Sequence, residues 1–242
     1  MPNEVVPSRA QVVAPDNSCH DAAVSLSGGA AMSPFELPDQ RLFRRVGLSV
    51  KRELHGGFQS RVVQAVDQRN ECAPPLAVKL MLVEADDRST ALERIRVRDQ
   101  VSRLDDRVVP IVPIDANKVN RIGDTLAVAS PLIEGRTLDI TSRADVERMG
   151  RALSRLHESL RICRANLPVV AALRVNGGAD GLNENHQLLH GDFSPSNLLL
   201  DDDGRLWVLD FDDCGYGPVE FELGNTLFMT CLLYTSPSPR DS

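Results

Sequence analysis

Apolar positions along this chain change their period near its middle. Leu48–Leu54 and residues 60–66 partly alternate between apolar and polar side chains, as half-buried strands do. They flank His55-Gly56-Gly57-Phe58, whose glycines permit positive φ, so the pair predicts a hairpin with a glycine-rich tip. Residues 76–83 form a third apolar run, opened by Pro74 and Pro75 and carrying Lys79 in its middle. A lysine inside an apolar strand needs a partner, unless it lies on an edge and points to solvent. Residues 90–104 read as a helix that Asp86, Asp87 or Ser89 can cap, with Leu92, Ile95 and Val101 apolar and Glu93 one turn in. Residues 108–114 and 125–133 are two more apolar runs around a polar turn at 117–124. Together they predict a mostly antiparallel sheet with one helix inserted.

The second half begins with the clearest helical pattern. Ser142 and Asp145 form a Ser-x-x-Asp start, and Val146, Met149, Leu153, Leu156 and Leu160 recur at spacings of three and four. Beyond a stretch with Gly177, Gly178 and Gly181, Leu188-Leu189 leads into the polar loop His190-Gly191-Asp192-Phe193-Ser194-Pro195-Ser196-Asn197. Apolar residues 198–200, the turn Asp201-Asp202-Asp203-Gly204 and a strand ending at Asp210 follow. Asp-Gly between two apolar runs is a strong hairpin signal. Residues 221–230 begin another helix.

Composition narrows the functional classes. The 242 residues are 42% hydrophobic and 25% charged, with a net charge of −7, which excludes a protein whose task is to coat nucleic acid or anionic lipid. No apolar run reaches membrane-spanning length and no signal peptide opens the chain, so the expected compartment is the cytoplasm. Five scattered cysteines without a C-x-x-C pair indicate neither a disulfide framework nor a zinc site.

Both ends stand apart from the fold. Residues 1–38, rich in Pro, Ser and Gly, read as a disordered leader, with Met32 as an alternative start. Residues 231–242 resemble the translated read-through of a sequencing adapter, which implies a natural chain continuing past Thr230. The expected units are thus 39–133 and 134–230.

The loop and the hairpin after it carry chemistry. Phosphoryl transfer from ATP needs a base near the acceptor hydroxyl, Mg²⁺ on the phosphates, a cation on the phosphate chain and exclusion of water. Asp192 can take the hydroxyl proton, and Asn197 and, thirteen residues later, Asp210 can offer oxygen to Mg²⁺.

His190-Gly-Asp192-x-x-x-x-Asn197, with Val208-Leu-Asp-Phe-Asp212 after it, resembles the aminoglycoside phosphotransferase family of protein-kinase-like small-molecule kinases. The resemblance covers roughly 42–230. It implies an α+β, two-lobe protein-kinase-like fold: an N-lobe antiparallel sheet plus one helix, and a mainly helical C-lobe with a catalytic-loop hairpin. It further implies that Gly56, Gly57 and Ser60 cover the phosphates, Lys79 binds them, Glu93 pairs with Lys79, and 130–135 is the hinge against adenine. His190 belongs to the catalytic loop, as an orienting residue. Asp212 is either a second metal ligand or a structural carboxylate, and Glu222, where many relatives carry aspartate, is structural at most. Gly191 stands where protein kinases carry arginine, which favours a small-molecule over a protein acceptor. The acids Asp212, Asp213, Glu220 and Glu222 would suit a cationic acceptor or be plain surface charge. The opposing class is a nucleotide-binding pseudokinase or an inactive fragment.

Overall fold

A computed structural model describes residues 36–54, 60–70, 72–171, 173 and 186–235. The described elements open with α1 (Gln40–Arg45), whose N-cap Asp39 accepts from the Arg41 amide at 2.7 Å. Strands β1 (Leu48–Leu54), β2 (Ser60–Asp67) and β3 (Leu76–Met81) follow, then α2 (Arg88–Val101), β4 (Asn120–Ile122) and β5 (Thr125–Pro131). They form one antiparallel five-stranded sheet in the order β1-β2-β3-β5-β4. The glycine-rich tip lies outside the described residues, but Leu54 pairs with Val62, so β1 and β2 meet as a hairpin would require.

Alternation along β3 sets up the site. Val78 and Leu80 face the cluster built with Phe43 and Leu48, whereas Met81 packs toward Ala91 and Ile95 of α2. Lys79 shares the parity of Met81 and therefore leaves the sheet on the α2 side.

Residues 108–114 do not form the expected strand. Pro110 and Pro113 each lack an N–H, so the run makes only isolated bridges, at Val108–Val208, Val112–Ala129 and Ile114–Asn117. Its place at the sheet edge goes to β4, cut from the segment whose polarity suggested a turn. Five strands are present, but one is a different strand.

The chain leaves this sheet after Pro131 and joins a three-stranded one at β6 (Arg136–Thr137). Helix α3 (Arg143–Ile162) buries Met149, Leu153, Leu156 and Leu160 against Phe193, Leu198 and Phe211, and each fully buried leucine contributes roughly 1.5–3 kcal/mol. β7 (His186–Leu189) pairs with β10 (Gly215–Pro218), while β8 (Leu198–Leu200) and β9 (Leu206–Val208) form the expected hairpin beside β6. Helix α4 (Val219–Thr235) runs through Cys231 without a break. Among the described residues no helix is long and apolar enough to cross a membrane.

The start of α3 departs from its capping-box pattern. Ser142 makes no side-chain cap bond, and Asp145 turns its carboxylate to Arg136 (2.6 Å), Arg148 (2.8 Å) and the Asp139 amide (3.0 Å). Two guanidinium groups outbid a Ser-x-x-Asp cap. Chiefly through Arg136, they hold Asp145 down to a pKa of about 2. A carboxylate depressed in the folded state stabilises fully above its unfolded pKa, and that contribution fades as pH falls toward the folded one. Asp145→Asn should therefore lower Tm at pH 7, with the gap to the parent narrowing between about pH 4 and 2; a pH-independent gap would contradict the assignment.

Candidate active site

The β8–β9 hairpin brings the distant motif residues together. Leu198 pairs with Val208, and the Leu209 amide donates to the Asn197 carbonyl at 2.9 Å, so Asn197 and Asp210 emerge side by side at its open end. Asp210 has φ of 51°, a left-handed conformation that aspartate tolerates better than most residues. Such strain concentrates where a side chain must be aimed. Asn197 sits in the 3₁₀ turn Pro195–Asn197 and donates its Nδ2 to Asp192 Oδ2 at 2.7 Å and to the Asp192 carbonyl at 2.9 Å. The amide nitrogen is thereby committed to the loop, and Oδ1 is the atom left for a metal.

Lys79 reaches the same place from the sheet. Its Nζ lies 2.8 and 2.7 Å from the two oxygens of Asp210 and 2.7 Å from Asp212. Desolvation alone would lower the lysine pKa, but the two carboxylates outweigh it and raise it. Desolvation works against ionising Asp210 too, yet Lys79 holds that carboxyl well below the usual range. Asp212 moves the other way, through desolvation and the neighbouring charge of Asp210. One lysine thus keeps Asp210 ionised, with Asp212 the weaker acid of the pair. Asp213 is raised as well, by desolvation and then by Asp192, which places a third acid within electrostatic reach of the loop.

His190 is fully buried, edge-on to Phe193 and tilted against Phe211. Nε2 lies 2.7 Å from the Leu209 carbonyl and Nδ1 lies 3.4 Å from the Asp192 amide, so Nε2 carries the proton and Nδ1 accepts. Both His190 nitrogens are thus held by backbone atoms, one in the loop and one at the hairpin. Gly191 has φ of 88°, and a Cβ there would lie 2.1 Å from the Asp213 carbonyl oxygen. Only glycine lets the loop pass that carbonyl.

The Lys79–Glu93 pair implied by the resemblance is not formed. Glu93 binds Arg96 at 2.6 Å and the Asn166 amide at 2.7 Å, on a different face of α2. One residue later along the helix turns 100°, and Arg94, with Arg98 one turn beyond it, occupies the neighbouring side. Arg94 donates to the Cys214 carbonyl at 3.0 Å, and Arg98 to the Val109 carbonyl at 2.9 Å and Ser130 Oγ at 2.5 Å. Desolvation lowers Arg98, against the pull of Asp210 and Asp212. α2 therefore presents cations where a carboxylate was expected, and Lys79 takes both its partners from the segment after β9.

Ser60 opens β2 opposite Met81, two positions from the Val62–Lys79 pair. Gly56 and Gly57 fall outside the described residues. Glu222 is fully buried and faces the loop, so it belongs to no acceptor surface. Among the described residues, no three His, Cys, Asp or Glu side chains converge as a ready-made metal cage. Asp210, already ionised, and the amide oxygen of Asn197 are nonetheless hard oxygen donors of the kind Mg²⁺ takes, usually beside water and phosphate oxygens.

Comparison with known proteins bears on the whole arrangement. Residues 158–238 match the phosphotransferase enzyme family. No curated protein matches the chain. Aminoglycoside phosphotransferase APH(4)-Ia superposes with a TM-score of 0.52 at 12% identity, over 81% of this chain and 79% of that one. Spectinomycin phosphotransferase APH(9)-Ia gives 0.52 at 13% identity, over 82% and 80%. An aminoglycoside phosphotransferase from Alicyclobacillus acidocaldarius gives 0.57 at 14%, over 82% and 73%. At such identities the likeness is one of fold. The family match is confined to residues 158–238, and the chain as a whole shares the α+β, kinase-like fold of these solved phosphotransferases.

Proposed function

We propose that the chain is an ATP- and Mg²⁺-dependent phosphotransferase that moves the γ-phosphoryl group to a hydroxyl of a small molecule. The observation that carries this reading is the convergence of Asp192, Asn197, Asp210 and Lys79 from three separate segments, two of them ordered by the β8–β9 hairpin.

Asp192 orients the acceptor hydroxyl and takes its proton as the oxygen attacks the γ-phosphorus and the bond to the β–γ bridging oxygen breaks. Lys79 steadies the α- and β-phosphates once they draw it from Asp210 and Asp212. Mg²⁺ bound by Asn197 and Asp210 would neutralise charge on the phosphates. In such a site, positioning and electrostatics supply most of the barrier lowering.

Solved relatives of similar fold hold ADP with hygromycin B or ADP with spectinomycin, so polyhydroxylated amines are the first acceptors to test. Glu222, buried against the Gly191 amide, does not belong to the acidic cluster that would suit a cationic acceptor. Asp213, whose carbonyl lies against Gly191, and Asp212, paired with Lys79, remain at the site.

The deciding experiment measures Mg·ATP binding and ADP release on the purified chain across a panel of such acceptors. Acceptor-dependent ADP release supports the reading. Mg·ATP binding without turnover would favour the pseudokinase, and absence of binding would overturn the nucleotide site itself.

A further inference from the structure

Asp210 and Asp212 lie on a short arch whose two ends are fixed and whose last residue is held from α2. At one end the Leu209 amide bonds the Asn197 carbonyl at 2.9 Å; at the other, Gly215 pairs with Leu189 and the Tyr216 amide bonds the Pro168 carbonyl at 2.9 Å. Between them, residues 210–214 close on themselves. The Cys214 amide donates to the Phe211 carbonyl at 3.1 Å, and the Asp212 amide to Asp210 Oδ1 at 3.1 Å. Cys214 is fully buried, and its carbonyl accepts from Arg94 Nε at 3.0 Å. A buried carbonyl has to be paired, and here the donor is a guanidinium of α2.

The helix is seated so that Arg94 stays aimed. Glu93 accepts from the Asn166 amide at 2.7 Å, and Arg96, while paired with Glu93, donates to the Arg164 carbonyl at 2.7 Å. Tyr216 ties that segment to the strand after Cys214, because its hydroxyl donates to the Ala165 carbonyl at 3.2 Å and accepts from the Ala165 amide at 3.4 Å. The two stretches of chain that α2 grips are therefore one surface. Three bonds to its backbone, from positions 93, 94 and 96 on adjoining helix faces, fix the rotation of α2.

We infer that Arg94 is a positioning residue that holds the 210–214 arch, and with it the carboxylate of Asp210, in place for the metal of the nucleotide. The inference rests on the phosphotransferase reading for what Asp210 does, but not for whether the arch is held. Lys79 also touches the arch, through Asp210 and Asp212, yet by that reading the phosphates of the nucleotide draw it away. The Arg94 bond ends on a backbone carbonyl, for which phosphate does not compete, so it persists in both states. Groups that orient a metal ligand without touching the metal typically govern about 10–100-fold in metal affinity.

The test uses the full chain and reads ATP affinity with Mg²⁺, ATP affinity with the metal chelated, and amide hydrogen exchange of the segment 210–214. Arg94→Met keeps the apolar stem and removes the donors. It should speed exchange in that segment and lower the Mg²⁺-supported affinity roughly 10–100-fold, with the metal-free affinity unchanged. Arg94→Lys, whose single amine is displaced from the Nε position, should show a smaller loss in the same readouts, and it carries the test if Arg94→Met does not fold. Arg96→Met cuts a bond of the same helix to Arg164 but none to the arch, so the ratio of the two affinities should stay at the parent value.

An equal fall in both affinities in the Arg94 variants would mark a purely structural role and overturn the inference, as would parent-like exchange at 210–214. If the parent chain binds no Mg·ATP, the phosphotransferase reading fails, and the exchange measurement still decides whether α2 holds the arch.

Discussion

Asp210→Asn should abolish the Mg²⁺-dependent part of nucleotide affinity while leaving the fold intact. The choice of asparagine matters. Asp210 occupies the left-handed region at φ of 51°, which asparagine adopts about as readily as aspartate, whereas alanine would add backbone strain to the lost charge. The isosteric variant therefore removes only the anion. That anion now faces the Lys79 ammonium with both oxygens within 2.8 Å, and Lys79 keeps it ionised ahead of any metal. Mutating even outer partners of a metal site typically costs about 10–100-fold in affinity, so losing a direct charged ligand should cost at least that much. Titrating ATP with Mg²⁺ and again with the metal chelated reads the effect: in the parent the two affinities differ, and in the variant they should coincide. A variant that keeps the parent's dependence on Mg²⁺ would remove Asp210 from the metal site.

How much of this was readable in the sequence depended on the range of the interaction. The loop and hairpin at 190–210 were legible because their geometry is local: Asp-Gly closes the turn, the turn sets Leu198 opposite Val208, and that register leaves Asn197 and Asp210 side by side. The phase of β3 was equally local, and it sent Lys79 to the α2 side. What α2 would offer in return was not. Glu93 and Arg94 differ by one residue in sequence but by 100° around the helix, and the rotation of a helix on a sheet is fixed by packing that a single weakly patterned sequence does not encode.

The strand expected at 108–114 failed for a reason that stands in the text of the chain. Pro110 and Pro113 deny the run its ladder donors, and composition outweighed them. The Ser142–Asp145 cap failed for the opposite reason, since the competing partner Arg136 lies outside the motif and is brought in by β6. The His157–Glu222 contact, 65 residues apart, left no local signal at all. The four-residue spacing of Glu222 and Thr226 did leave one, because it puts both on a single helix face, but only the fold reveals that this face meets the catalytic loop.

Asp192→Asn should produce the largest loss of turnover. In the parent, Asn197 donates to Asp192 Oδ2 at 2.7 Å, and the rest of the loop is held through backbone by Glu222, Thr226 and His190. An asparagine amide oriented with its oxygen toward Asn197 keeps every one of those bonds. Hydrogen exchange across 189–194 should thus be unaltered. What it cannot do is accept a proton from an acceptor hydroxyl. General-base assistance is worth about 10²–10⁴ in rate, or about 3–5 kcal/mol of barrier, and kcat should fall by that factor. KM for ATP should hold steady, because Lys79, Asn197 and Asp210, the groups assigned to the nucleotide and its metal, are untouched. Turnover within about threefold of the parent, far short of that range, would show that the hydroxyl loses its proton without Asp192. A parallel rise in KM for ATP would instead place Asp192 on the nucleotide side of the cleft.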